Sequence, residues 1–136
     1  MTDETKIAVV VREDLAVWQK LNVTAFLVSG FGTRWPDVVG EPYRDASGGE
    51  YLSMFGVPVL VFGADAAAIR RAFDRARSRG LGIAVYTDEL FATNNDRDNR
   101  AAVAGVETDK LTLAGVAVCG DRRTVDKALD RLKLHP

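Results

Sequence analysis

The 136-residue chain has one cysteine, Cys119, and one histidine, His135. A single thiol closes no internal disulfide, and one Cys with one His cannot supply the ligand set of an ordinary zinc site. There is no basic excess either: eighteen Lys and Arg against nineteen Asp and Glu leave a net charge of −1. Proteins that grip a polyanion usually carry a basic balance or a basic face, so the charge argues against nucleic acid as the main partner. No apolar run approaches the roughly 18 residues of a membrane span. The opening MTDETK has no apolar core of the kind a secretory signal needs. The expectation is a cytoplasmic protein with no metal, no cofactor and no membrane contact. The length suits one domain over residues 1–136, and 47% hydrophobic with 27% charged residues suits a packed globular chain.

What is present is organised around residues 6–15, KIAVVVREDL. Residues 7–11 are all apolar and mostly β-branched, the mark of a strand buried on both faces. Arg12, Glu13 and Asp14 mark its C-terminal end, where open α/β sheets place their ligands. A helix is expected over residues 17–30, with Leu21, Ala25 and Val28 on one stripe and Val23, Phe26 and Leu27 on another. Apolar nearly all round, it should be buried on more than one face. Residues 33–56 combine Pro36, Gly40, Pro42, Gly48, Gly49 and Gly56 with Trp35, Tyr43, Tyr51 and Phe55. That is turn chemistry carrying aromatic anchors, with room for a short helix or hairpin. Further strands are expected at residues 57–62, 82–86 and 113–118, and helices at residues 64–79 and 124–132, with a short helix within residues 97–104. This alternation calls for a largely parallel sheet covered on both faces.

Several side chains are candidates for chemistry. Asp14 and Asp88 each follow a strand and should share one sheet edge. Together they could do acid–base work or hold a hard cation such as magnesium; separately, each could cap a helix. Asn22 lies on an apolar helix and could orient a ligand or tie down the following loop. Asp45, Ser47, Gly48 and Gly49 could cradle an anion or form a plain turn. Ser47 lacks a local base, because His135 is next to the last residue and is expected to be mobile. Arg70, Arg71, Arg75, Arg77 and Arg79 give one helix a basic side, suited to phosphates or simply to solvent. Cys119 reads as a small core residue.

VVVREDL at residues 9–15 resembles the first strand and turn of the archaeal and eukaryotic type of peptidyl-tRNA hydrolase. Tyr86-Thr87-Asp88 sits where that family places a catalytic Asp after a strand. TLAGVA at residues 112–117 resembles its Thr-containing final strand, and Val125-Asp126-Lys127 with Leu132-Lys133-Leu134 its closing helix and ending. The resemblance implies a three-layer α/β/α fold with a mixed four-stranded sheet, the last strand antiparallel, and a homodimer. Carried over residue by residue, Asp88, Lys20 and Thr93 would be the catalytic set. The family's first helix opens with Gly-Lys and carries a Gln and a His-Ala pair, where this chain reads Gln19-Lys20-Leu21-Asn22-Val23-Thr24-Ala25. Closer is a group of uncharacterised bacterial proteins that share the fold, with an Asn in the first helix and an Asp-Ala-Ser-Gly segment after it, here Asn22 and residues 45–48.

Three functional expectations result. One is a divergent small-ligand-binding or enzyme-like domain, its pocket formed where Asp14, Asn22, Asp45, Ser47, Gly48 and Asp88 converge. Another is a hydrolase that releases peptides from tRNA through Asp88, Lys20 and Thr93. The last is a dimeric interaction module without catalysis, anchored by Trp35, Tyr43, Tyr51 and Phe55.

Overall fold

A computed structural model describes residues 4–136. Strand β1 (Thr5–Arg12) is followed by helix α1 (Val17–Val28), a single turn α2 (Phe31–Arg34), a 3-10 turn (Pro36–Val38) and a hairpin of β2 (Tyr43–Arg44) and β3 (Glu50–Tyr51). Strand β4 (Val59–Ala64) leads into α3 (Ala66–Ser78), then β5 (Gly82–Thr87), a 3-10 turn (Asp88–Ala92) and α4 (Asp96–Ala104). A last 3-10 turn (Thr108–Lys110) precedes β6 (Leu113–Asp121), α5 (Arg122–Ala128) and β7 (Lys133–Leu134).

The main sheet runs β5-β6-β1-β4-β7. Strand β1 is parallel to β4, with Val10 opposite Phe62, while β6 is antiparallel to both β1 and β5. Strand β7 pairs antiparallel with β4. Two expectations are corrected. The sheet has five strands rather than four, because the Leu-Lys-Leu ending adds a two-residue edge strand too short to show a periodicity. It is also mixed, as the family resemblance implied, rather than largely parallel, as the alternation of elements suggested. Strand β5 points the same way as β1, but β6 inserts between them, so alternation in sequence did not become adjacency in space.

Burial on both faces of β1 follows its apolar run. Ile7, Val9 and Val11 pack with Val23, Leu27, Phe31 and Val38 of the α1 layer. Ala8 and Val10 pack with Ile69, Phe73 and Ala76 of α3 and with Val125 and Ala128 of α5. Two cores on opposite faces make the arrangement three-layered. Gly115 lets α1 approach β6, because a Cβ there would lie 2.7 Å from Val23 Cγ1 and 3.1 Å from Leu27 Cδ1.

Helix α1 itself departs from expectation. Val23 and Leu27 are buried, but Val17, Trp18, Leu21 and Phe26 are each at least 58% exposed. The all-round apolar composition therefore records an outer face that the described residues leave uncovered. Helix α3 is bounded as its sequence suggests: Asp65 accepts the Ala68 N–H at 2.8 Å, and Gly80 closes it at φ +69°. Asp121 accepts the Thr124 N–H at 3.3 Å and caps α5, which ends at Ala128, short of the expected residue 132.

The long aromatic segment is tied down from within. Gly40 N–H donates to the Met54 carbonyl and Gly56 N–H to the Val38 carbonyl, both at 2.8 Å. Trp35 and Phe55 pack against the α1-side core rather than standing free as interface anchors, while Tyr43 and Tyr51 are exposed. Among the described residues no helix is long and apolar enough to cross a membrane.

Candidate functional site

The C-terminal edge of β1, β4 and β5 gathers around one arginine. Arg12 is the last residue of β1, and β6 separates it from β5, so Asp88 lies two strand spacings away, roughly 9.6 Å. A guanidinium can span that distance and offer separate donors to separate acceptors. Arg12 Nη2 reaches Asp88 Oδ1 at 2.8 Å, Nε reaches Asp14 Oδ1 at 2.6 Å, and Nη1 donates to the Leu113 carbonyl at 3.2 Å. The Arg12 side chain is 16% exposed, Asp88 43% and Asp14 70%, so the cation is the buried member. The Asp88 hydrogen bond is the main influence raising the Arg12 pKa above its ordinary value, against the opposing pull of burial. Asp14 caps no helix: Ala16 is the N-cap of α1, and its N–H donates to Gln19 Oε1 at 2.9 Å. Beside the cluster, Thr112 Oγ1 donates to Glu89 Oε2 at 2.9 Å. The Glu89 carboxyl is held below its usual range, first by its own backbone N–H and then by Thr112.

Next to this edge lies a cleft of about 360 Å³ between α1 and the segment running from the 3-10 turn at Asp88–Ala92 into α4. Its aromatic wall is a chain of ring contacts: Trp18 on Phe91 at 6.3 Å, Phe91 on Tyr86 at 5.0 Å, and Tyr86 on Phe26 at 6.4 Å. Burial pushes the Tyr86 phenol above its ordinary pKa, so it remains neutral at physiological pH. The polar lining is mostly carboxamide: Asn22, Asn94, Asn95 and Asn99, together with Thr93 and the carboxylate of Asp96. Thr93 Oγ1 contacts the Leu90 carbonyl at 3.0 Å and the Asn99 amide. Asn95 caps α4 by accepting the Asp98 N–H at 2.8 Å. Among the described residues, the Asn22 and Asn94 amides have no intramolecular partner. A second cleft, of about 590 Å³, shares Phe26, Tyr86, Leu90, Asp96 and Asn99 and extends the groove along α4.

The structure thus divides the expected site. Asp14 and Asp88 come together through Arg12, and Asn22 shares a cleft with Thr93. Lys20 turns elsewhere: its Nζ lies 3.2 Å from His135 Nε2. His135, expected to hang free, is tied to β4: its N–H donates to the Val61 carbonyl at 2.9 Å, and its Nδ1 lies 3.0 Å from the Pro136 carbonyl oxygen. An Nδ1–H imidazole would donate to Pro136 and accept from the Lys20 ammonium, so both contacts fit one tautomer. Asp45, Ser47 and Gly48 stand apart in the β2–β3 turn. Asp45 Oδ1 accepts the Ser47 and Gly49 N–H groups at 2.9 and 2.8 Å, Asp45 Oδ2 accepts the Tyr51 hydroxyl at 2.7 Å, and Gly48 takes φ +83°. These donors serve the turn itself rather than a bound anion.

Residues 5–136 match the family described as protein of unknown function (DUF2000). The chain belongs to that family. It is similar to a solved structure of Atu0240, a protein of unknown function from Agrobacterium tumefaciens strain C58, at 42% identity and a TM-score of 0.93. That match covers 98% of each chain. No curated protein matches.

In this DUF2000 protein sequence reasoning passed over Arg12 and Asn94 as site residues and set His135 aside as mobile. Arg12 had a legible signal, a cation at the end of a buried strand two residues from a candidate carboxylate. Asn94 and His135 had none, because each acquires its neighbours only through tertiary packing. Among the described residues no group of three or more His, Cys, Asp or Glu is placed to hold a metal ion. Between Asp14 and Asp88, where a cation would bridge the carboxylates, the Arg12 guanidinium already does so.

Proposed function

We propose that this DUF2000 protein binds a small uncharged molecule with a flat polar ring in the cleft between α1 and residues 88–104. The observation that carries this reading is the pair of unpartnered amides, Asn22 and Asn94, beside the aromatic wall of Trp18, Phe91 and Tyr86. A carboxamide offers both donors and an acceptor, matching the edge of a heterocycle, while the rings match its face. The acidic lining residue, Asp96, is already paired with Arg100, so the cleft presents little free charge. The test is a thermal-shift and chemical-shift panel of nicotinamide, uridine and adenosine. At least one should bind, and Asn22→Ala and Asn94→Ala should each weaken it about tenfold while leaving the melting temperature of the free protein unchanged. No binding by any of the three, or equal binding by the variants, overturns the reading.

An enzyme-like role is favoured by a separate observation. Asp88 is 43% exposed, is fixed through Oδ1 by Arg12, and lies two residues before Leu90 of the cleft wall. If chemistry occurs, hydrolysis in the manner of the peptidyl-tRNA hydrolases is the reaction class to test, with the fold relationship drawn from residues 9–15 and 86–88. Release of an N-blocked amino acid from charged tRNA, lost in Asp88→Ala, would support it; no release by the wild type would count against it. Self-association is favoured by the uncovered outer face of α1. A homodimer should dissociate on Leu21→Glu, and a wild-type monomer at all concentrations would refute it.

A further inference from the structure

The opposite face of the sheet carries a different kind of cleft. Helices α3 and α5 pack there, remote from α1, and a cavity of about 350 Å³ lies where they meet the turn after α5. Three guanidinium-bearing residues line it: Arg71 and Arg75, one helical turn apart on α3, and Arg131 from the turn. The acidic residue of the lining is Asp130, so three positive charges face one negative. Its floor is apolar and small, with Ala72 and Ala128 both buried.

The arginines of this chain do not all behave alike. Arg70 donates to the Thr108 and Leu111 carbonyls at 3.0 and 2.5 Å, and Arg77 lies over the Phe73 ring at 5.6 Å. Arg71, Arg75 and Arg131 have no intramolecular partner among the described residues. At the end of α5 backbone donors take two of the carbonyls: Leu129 N–H donates to Val125 at 3.1 Å and Asp130 N–H to Lys127 at 3.4 Å. Arg131 holds φ +72°, the single positive φ outside glycine among the described residues.

We infer that this cleft is a second binding site, for a phosphomonoester with a small organic group. Two uncompensated positive charges match the charge of about −1.5 to −2 that a phosphomonoester carries at neutral pH, and guanidinium forks match its oxygens. The alanine floor takes the organic part. The volume is at the lower end of the range of roughly 300–1,000 Å³ typical of ligand pockets, which suits a small molecule. This site is independent of the cleft on the α1 side and stands or falls separately.

The test is calorimetric titration at low salt with phenyl phosphate, inorganic phosphate and benzoate. Phenyl phosphate should bind more tightly than either of the others. Arg75→Gln and Arg131→Gly should each weaken it by about tenfold or more, as expected for loss of a charge-assisted contact. Asp130→Asn should tighten it. Glycine accepts a positive φ freely, so Arg131→Gly should keep or raise the melting temperature, separating lost binding from lost folding. No saturable binding of phenyl phosphate, affinity unchanged in both arginine variants, or binding of RNA without binding of phenyl phosphate would each overturn the assignment.

Discussion

Replacing Gly82 with alanine tests how the aromatic segment is fastened to the sheet. A Cβ at Gly82 would stand 2.1, 2.6 and 3.2 Å from Cη2, Cζ3 and Cζ2 of Trp35. Two of those separations are closer than packed carbons adopt, so either the strand and ring shift or the ring leaves. If the ring stays, overpacking costs about 1–3 kcal/mol. If it leaves, a half-buried indole gives up about 75–125 Å² of cover, or about 2–3 kcal/mol at 25 cal/mol per Å². It would also leave Phe31, whose ring centroid is 6.2 Å away, and Arg34, 4.8 Å from its centroid. Both routes give about 1–3 kcal/mol, which for a chain of this length lowers the melting temperature by about 3–10 °C. Urea titration followed by circular dichroism and by tryptophan fluorescence measures the cost, and coincidence of the two curves checks the two-state assumption. In a double-mutant cycle with Trp35→Leu, the combined variant should be more stable than the sum of the single costs allows, by about 1 kcal/mol or more. Additive costs, or a Gly82→Ala variant within about 0.5 kcal/mol of wild type, would refute the contact as the fastening.

Arg12→Gln should cost about 1–3 kcal/mol, because it strips partners from Asp88 and the Leu113 carbonyl, whereas Asp14→Asn at a 70% exposed side chain should stay within about 0.5 kcal/mol. Equal costs in urea titrations would contradict the asymmetry. The Asp45 carboxyl is held below its ordinary value, first by the Tyr51 hydroxyl and then by the Gly49 and Ser47 N–H groups. Its support of the hairpin is therefore complete above the ordinary carboxylate range and lost as pH falls through the lowered value. The Ser47 and Gly49 amide resonances should hold steady from about pH 7 to 5 and move only below about pH 4; a midpoint above pH 5 would reverse the sign. Burial pushes the Cys119 thiol up to about 11. At pH 8 an aromatic disulfide reagent should find no thiol in the folded protein and one after unfolding in guanidinium, so rapid labelling of the native state would show the core assignment to be wrong.

Much of the frame was legible because its signals are local. The apolar run at residues 7–11 announced two-sided burial, and Ile7 to Val11 are each at most 1% exposed. Gly80 and Asp121 marked helix ends through capping and turn chemistry that needs only a few neighbouring residues. Local signals failed where a long-range choice intervened. The composition of α1 was read as two-sided burial, because periodicity records which side chains are apolar and says nothing of what lies over them. The strand Lys133–Leu134 carried no pattern, since its pairing with Phe62 and Gly63 is all that makes it a strand.

The candidate site divides along the same line. Sequence alone determined that Asp14 and Asp88 follow strand ends, and that Asp45 to Gly49 make a turn, because both depend on chemistry within a few residues. Tertiary structure decided what those groups do. Inserting β6 between β1 and β5 set the span that Arg12 bridges, folding the 88–104 segment against α1 brought Asn94 to Asn22, and β7 delivered His135 to Lys20. Those pairings join residues about 70 to 115 positions apart along the chain, and only strand order and layer packing determine which of them meet.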